Sequence, residues 1–341
     1  MRLGLATIGV WSEVAVCVAL FAPAGMGAQS CTTQAKMTGQ VRGSLADAAF
    51  AFATDVKAGN AAKLQTEAIA EYAQNFAAAT TLISDTSERI KGDQLHVSQV
   101  YLLDASGRKA TDTGDTDFSC PLAGSAGETD FSIADLPPGM YGFAMVEAMG
   151  DRAWLVSMLV RQDAGRWKLA GLYPRARSAA GRDGLWYWSA ARDQAKAKQL
   201  WRSWVLYGQA DKLLRPANFV STSNLDKLGA ERTAATPPEL AGGISAESPL
   251  VLKSSTGAAV KLSSLGSEGS DDGKRLNLVL HLQGDPSVTA SAAEMAENSA
   301  AASALLTAHP ELRQGFDGVT VIAEVAGRTP FVTEQKIGEI H

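Results

Sequence analysis

Cysteine and histidine are scarce in this chain: three and four residues respectively out of 341. None lies at metal-ligand spacing from another, so no metal centre is expected. Concentrated positive charge is missing too. Lysines and arginines are dispersed, the net charge is −5, and no basic stripe interleaves with aromatics. That argues against nucleic acid as a partner and gives no pull toward anionic lipid. The sequence has no G-x-S-x-G, no P-loop, no G-x-G-x-x-G after a strand, no H-E-x-x-H and no C-x-x-C. Motif-borne enzyme classes are thereby removed and no cofactor is implied. Enzymes defined only by a spatial constellation stay open. Beyond the N-terminal segment, no apolar run approaches the ~20 residues a membrane span needs.

With 46% hydrophobic and 20% charged residues, the composition is that of a globular protein with a real core. Residues 1–28 read as a secretory signal peptide. Arg2 gives the positive start, Val14–Ala22 is an apolar run, Pro23 and Gly25 break it, and Ala28 is the cleavage position. A retained anchor is the alternative. The expected location is therefore outside the cytoplasm, periplasmic or secreted. Cys17 leaves with the signal, so Cys31 and Cys120 remain. In an oxidising compartment they could pair. They could also stay as two free thiols, or Cys31 could carry a lipid anchor.

Periodicity lays out the rest. Residues 29–42 form a polar leader. Helix is expected over 43–57, where Leu45, Ala49, Phe52 and Val56 share a face, and again over 61–91. A strand follows at 94–103, with Leu95, Val97, Tyr101 and Leu103 on one face and His96 and Ser98 on the other. The stretch 104–138 reads as a long loop with one short edge strand near 130–133. Strands at 140–149, 153–161 and 166–173, joined by Gly150-Asp151 and Asp163-Ala164-Gly165, make an antiparallel sheet. Helix returns at 183–215, which holds four of the seven tryptophans. Residues 229–248, with Pro237-Pro238 and Gly242-Gly243, read as a linker. The last part is strand, strand, strand, helix, strand, strand.

Two helices, a loop and an antiparallel sheet ending in Gly165-Arg166-Trp167-Lys168-Leu169-Ala170-Gly171 resemble the nuclear transport factor 2-like (SnoaL-like) superfamily. The helix ending Val56-Lys57-Ala58-Gly59-Asn60 is similar to that family's opening helix. The resemblance covers about residues 40–176 and implies an α+β cone, a curled antiparallel sheet with N-terminal helices around a pocket. Ala191, Ala195, Trp204, Tyr207, Ala210 and Pro216 resemble a single degenerate tetratricopeptide hairpin. The layout as a whole resembles that of exported bacterial proteins and brings no activity with it. The expected division is a domain at 43–176, a helical hairpin extension at 177–228, the linker, and a smaller α+β domain at 249–341.

If the sheet curls, Tyr141, Phe143, Met145, Trp154, Met158, Trp167 and Tyr173 would line one wall of a pocket, with Glu147 as its carboxylate. Such a wall suits a small apolar ligand with one polar handle. The same residues would equally serve as core against the helices at 43–91. Glu147 and His96 are the catalytic candidates, because a carboxylate in an apolar pocket has a raised pKa and can move protons near neutrality. The leading expectation is a non-enzymatic protein that binds a small apolar molecule or docks a protein partner. The alternative is a cofactor-free isomerase or hydrolase. The oligomeric state is left open.

Overall fold

The computed structural model describes residues 29–122 and 127–341; the expected signal peptide lies outside them. It is a mixed α+β protein built around several antiparallel sheets. The N-terminal part runs β1 (Ser30–Thr33), α1 (Gly39–Lys57), α2 (Ala61–Thr66), α3 (Ala70–Ala73), α4 (Ala77–Ile90), β2 (Gln94–Asp104), β3 (Asp115–Pro121), β4 (Glu128–Ala134), β5 (Met140–Met149), β6 (Trp154–Asp163) and β7 (Arg166–Ala176). A small hairpin of β8 (Ser178–Ala179) and β9 (Arg182–Asp183) leads to α5 (Gly184–Lys196) and α6 (Leu200–Leu214). Next come β10 (Val220–Thr222) and α7 (Ser223–Ala234). The C-terminal part is β11 (Leu250–Lys253), β12 (Ala259–Gly269), β13 (Leu276–Gln283), α8 (Ser291–Ala308), β14 (Gly318–Glu324) and β15 (Phe331–Lys336).

The main sheet has the order β1-β2-β5-β6-β7, antiparallel throughout. Helix α1 starts at Thr38, whose hydroxyl accepts from the Val41 amide, a standard N-terminal cap. Its Leu45, Ala49, Phe52 and Val56 are buried at spacings of three and four, so one helical face lies on the sheet. Gly142 is where that packing is tightest: a Cβ there would sit 2.4 Å from Leu45 Cδ1 and 3.0 Å from Val160 Cγ2. The opposite face of the sheet is covered by a second sheet, β10-β4-β3, and Cys31 on β1 is disulfide-bonded to Cys120 on β3.

Several sequence expectations need correction. The helix expected over 61–91 is three helices, because Glu67–Ile69 extends to bond the β7 edge. The Ile69 amide donates to the Leu169 carbonyl at 2.9 Å, and the Leu169 amide to Glu67 at 3.0 Å. The polar leader 29–42 contains β1 and the start of α1. The long loop 104–138 contains the β3–β4 hairpin, whose alternating burial was masked by its Ser, Thr and Asp content. The supposed linker 229–248 begins as the end of α7 and has Ala235 and Leu240 buried.

In the C-terminal sheet, ordered β11-β12-β13-β14-β15, only the β13–β14 pair is parallel. That pairing needs a crossover, which α8 supplies. The hairpin α5–α6 shares its core with this sheet: Tyr187, Trp201 and Leu206 pack in one cluster with Leu262, Leu280 and Leu305. Among the described residues no helix is long and apolar enough to cross a membrane.

Candidate functional site

Alternation holds along β5 and β6 but is interrupted by bulges in the pairing of β2 and β7, and the phase between strands also differs from expectation. Phe143 pairs with Leu159, and Met158 pairs with Ala144; cross-strand partners share a face. Trp154, Met158 and Trp167 therefore join the cluster under α1, where the Trp167 indole donates to Ser44 Oγ at 3.3 Å. Tyr141, Phe143, Met145 and Tyr173 lie on the other face. The seven expected pocket residues do not form one wall. The hairpin between β5 and β6 sets this register, and bulges at Val97/Gln99 and Leu159/Val160 shift it again. The first bulge also places Val97 and Tyr101 on opposite faces, against expectation.

The face turned away from α1 carries a line of aromatics in edge-to-face contact. Tyr101 meets Phe131 at 5.2 Å, Phe131 meets Phe143 at 5.3 Å, Phe143 meets Phe219 at 5.6 Å, and Phe219 meets Tyr173 at 5.0 Å. Such pairs hold one another's ring orientation. Burial pushes the Tyr173 hydroxyl pKa up, so it stays neutral. Beside this line, between the sheet and the helices, is a cavity of about 230 Å³. Phe143 and Met145 form its floor, Trp188, Leu185 and Leu214 come from α5 and α6, and Leu225 comes from α7. Its polar groups are neutral: Tyr101, Thr129, Thr222 and Asn224. Tyr101 and Thr129 share a hydroxyl–hydroxyl bond of 3.2 Å, and Thr222 caps α7 by accepting from Leu225. Asn224 is exposed at the mouth.

Trp188 is held from outside the cavity. Its indole donates to Glu231 Oε2 at 2.8 Å, and the Arg192 guanidinium stacks on its ring at 4.4 Å while gripping the same carboxylate with two bonds of 2.7 and 2.8 Å. Those Arg192 bonds are the main reason that the Glu231 carboxyl is lowered to about 2.

The two catalytic candidates are brought opposite each other, His96 on β2 and Glu147 on β5. His96 is exposed and Glu147 half-buried. Glu147 borders a neighbouring hollow of about 290 Å³ with Arg177, Asp183 and Leu185. Among the described residues no group of three or more His, Cys, Asp and Glu side chains is arranged to hold a metal ion.

Sequence reasoning missed the wall from α5 and α7. Leu225 and Leu228, three apart behind a threonine, were the signal for α7. The chain matches no protein-family model, no curated protein and no solved structure.

Proposed function

We propose that this is an exported, non-enzymatic protein that binds a small apolar molecule in the cavity between Phe143, Met145, Trp188 and Leu225. One observation carries the reading: the cavity wall is apolar, and its polar groups offer no carboxylate, imidazole, thiol or amine. Such a site can desolvate and orient a ligand, and its single phenol, Tyr101, is engaged by the Thr129 hydroxyl with no carboxylate or imidazole beside it to relay a proton. Its size exceeds the ~150 Å³ that accommodates one benzene ring, so a substituted single ring fits. The side-chain amide of Asn224 is the polar handle at the mouth. Export is supported by the Cys31–Cys120 bond, which persists in oxidising compartments. Helices ahead of four of the five strands of an antiparallel sheet fit the nuclear transport factor 2-like resemblance. On that reading the ligand would sit on the face away from α1, since the space between α1 and the sheet is filled by Leu45, Phe52, Val156 and Met158.

The test is calorimetric titration of the full chain with toluene and p-cresol. Both should bind, p-cresol more tightly. Met145→Trp, which fills the floor, should abolish both. Asn224→Leu should weaken p-cresol about fivefold, the worth of one hydrogen bond, and leave toluene unchanged. The reading fails if neither compound binds, or if Met145→Trp binds like the parent. The alternative, an isomerase or hydrolase, draws on the register pairing of His96 with Glu147. It would require turnover that Glu147→Gln removes while binding survives.

A further inference from the structure

A second cavity, of about 450 Å³, opens where three parts of the molecule meet. Helix α4 gives Leu82 and Arg89, the β5–β6 hairpin gives Arg152 and Trp154, and β7 gives Arg175. Helix α6 gives Lys212, and the β12–β13 turn closes the lip.

Three of its four cations have no carboxylate in ion-pair contact among the described residues. The Lys212 ammonium donates to the Ser267 carbonyl at 2.9 Å. Arg175 donates to the side-chain carbonyl of Asn218 at 2.5 Å. Arg152 donates to the backbone carbonyl of Asp271. Only Arg89 has an acidic partner, the Asp271 carboxylate at 2.7 Å, and that side chain is 93% exposed. The other acids on the lining, Asp85 and Glu268, are both exposed. Nearby, Arg232 stacks on Trp204 at 4.2 Å, and its buried Nε has no hydrogen-bond partner.

A cation withdrawn from water is costly unless an opposite charge compensates it. Here burial lowers the pKa of Lys212, Arg175 and Arg232. For Lys212 the Glu268 charge pulls the other way while Arg232 and Arg175 add to the lowering by repulsion, and for Arg175 and Arg232 the Asp211 charge pulls the other way. Positive groups from separate elements are thus gathered around one space whose lining carboxylates are exposed, while the nearby Asp211 is already paired with Arg215. Partly buried charge of this kind, placed in a cavity, is the pattern of a ligand site. Guanidinium forks and an ammonium suit a tetrahedral oxyanion. Leu82, Trp154 and Leu213 supply an apolar wall beside the charges.

We propose that this junction cavity binds a small organic phosphate. Lys212, Arg175 and Arg152 hold the phosphate oxygens, and the organic part lies against Trp154 and Leu82. The site is separate from the apolar cavity and independent of it.

Titration of the full chain with phenyl phosphate tests the assignment. Saturable binding is expected, weakening as salt rises through ~0.2 M because charges that remain partly open to water are screened. Lys212→Gln should weaken it at least about tenfold, as loss of one member of a desolvated charge pair does, and leave toluene binding in the other cavity unchanged. Benzoate, with the same ring and a single negative charge, should bind clearly more weakly than phenyl phosphate. A second measurement needs no ligand. Lys212→Met should raise the melting temperature of the free chain by a few degrees, because it removes an uncompensated charge. The proposal is overturned if phenyl phosphate gives no saturable binding, if Lys212→Gln binds like the parent, or if benzoate binds equally well. It is also overturned if Lys212→Met lowers the melting temperature, which would mark Lys212 as a scaffold contact.

Discussion

Glu231→Gln is the sharpest single perturbation of the candidate site, although Glu231 does not line the cavity. Its carboxylate joins three helices, accepting from Trp188 and Arg192 on α5 and, at 3.4 Å, from the Tyr207 hydroxyl on α6. Gln keeps the shape but has one acceptor oxygen, and it turns an NH2 group toward donors. The carboxyl falls from 4.5 to about 2 in the folded chain, which at ~1.36 kcal/mol per unit sets a ceiling of roughly 3 kcal/mol. With the Glu231 side chain a quarter exposed, solvent screening reduces this to about 1–2 kcal/mol. The sign is fixed by linkage. The folded pKa lies below the unfolded one, so the stabilisation is complete above about pH 4.5 and disappears as pH falls toward 2. Urea unfolding of parent and variant should therefore differ by about 1–2 kcal/mol at pH 7, and the two curves should converge through that acid window. Toluene affinity should fall as well, because Trp188 loses the bond that fixes its ring against the cavity. A stability difference that stays constant from pH 7 down to pH 2.5 would refute the electrostatic account.

Two further predictions concern the frame that carries the site. Cys120→Ser opens a loop spanning 89 positions and should cost about 2–5 kcal/mol. The check is the melting temperature with and without reductant: the parent should fall to the level of the variant, and an indifferent parent would mean that the bond does not form. Gly142→Ala puts a methyl group 2.4 Å from Leu45 Cδ1 and should cost about 1–3 kcal/mol by overpacking. Denaturant unfolding reads this directly, and a neutral result would mean that α1 packs further from the sheet than described.

Much of the architecture was legible because its signals are local. The buried face of α1 is written in Leu45, Ala49, Phe52 and Val56. The β5–β6–β7 meander is written in two turns, one of which places Ala164 and Gly165 at positive φ. What the sequence concealed depends on distant partners. Helix 61–91 is interrupted because the β7 edge offers Leu169 as a backbone partner, and no residue between 66 and 77 announces that. β3 and β4 carry Asp, Ser and Glu on their outward positions and bury two threonines, Thr116 and Thr129, which reads as loop until Phe118, Cys120, Phe131 and Ile133 are seen to point to one core. The polar α7 hides in the same way, because only Leu225 and Leu228 are buried on it.

The site was half legible for a related reason. Period two along a strand states that Phe143 and Met145 share a face, but not which residues of the next strand join them. That depends on where the turn closes, and a one-residue change in phase moves the whole adjoining strand's set to the other side. Taking Met158 rather than Leu159 as the neighbour of Phe143 is such a change. It merged residues that face α1 with residues that face β4 and α5. Glu147 kept its place on the Phe143 face but lies beyond Met145, bordering a different hollow. The acid expected inside the apolar pocket is therefore outside it. The phase is itself open to measurement. Cysteines placed at Phe143 and Leu159, which are cross-strand partners, should cross-link with a short reagent in mildly denatured samples, whereas cysteines at Phe143 and Met158 should not. Cross-linking of the second pair in preference to the first would put Met158 on the Phe143 face and refute this register.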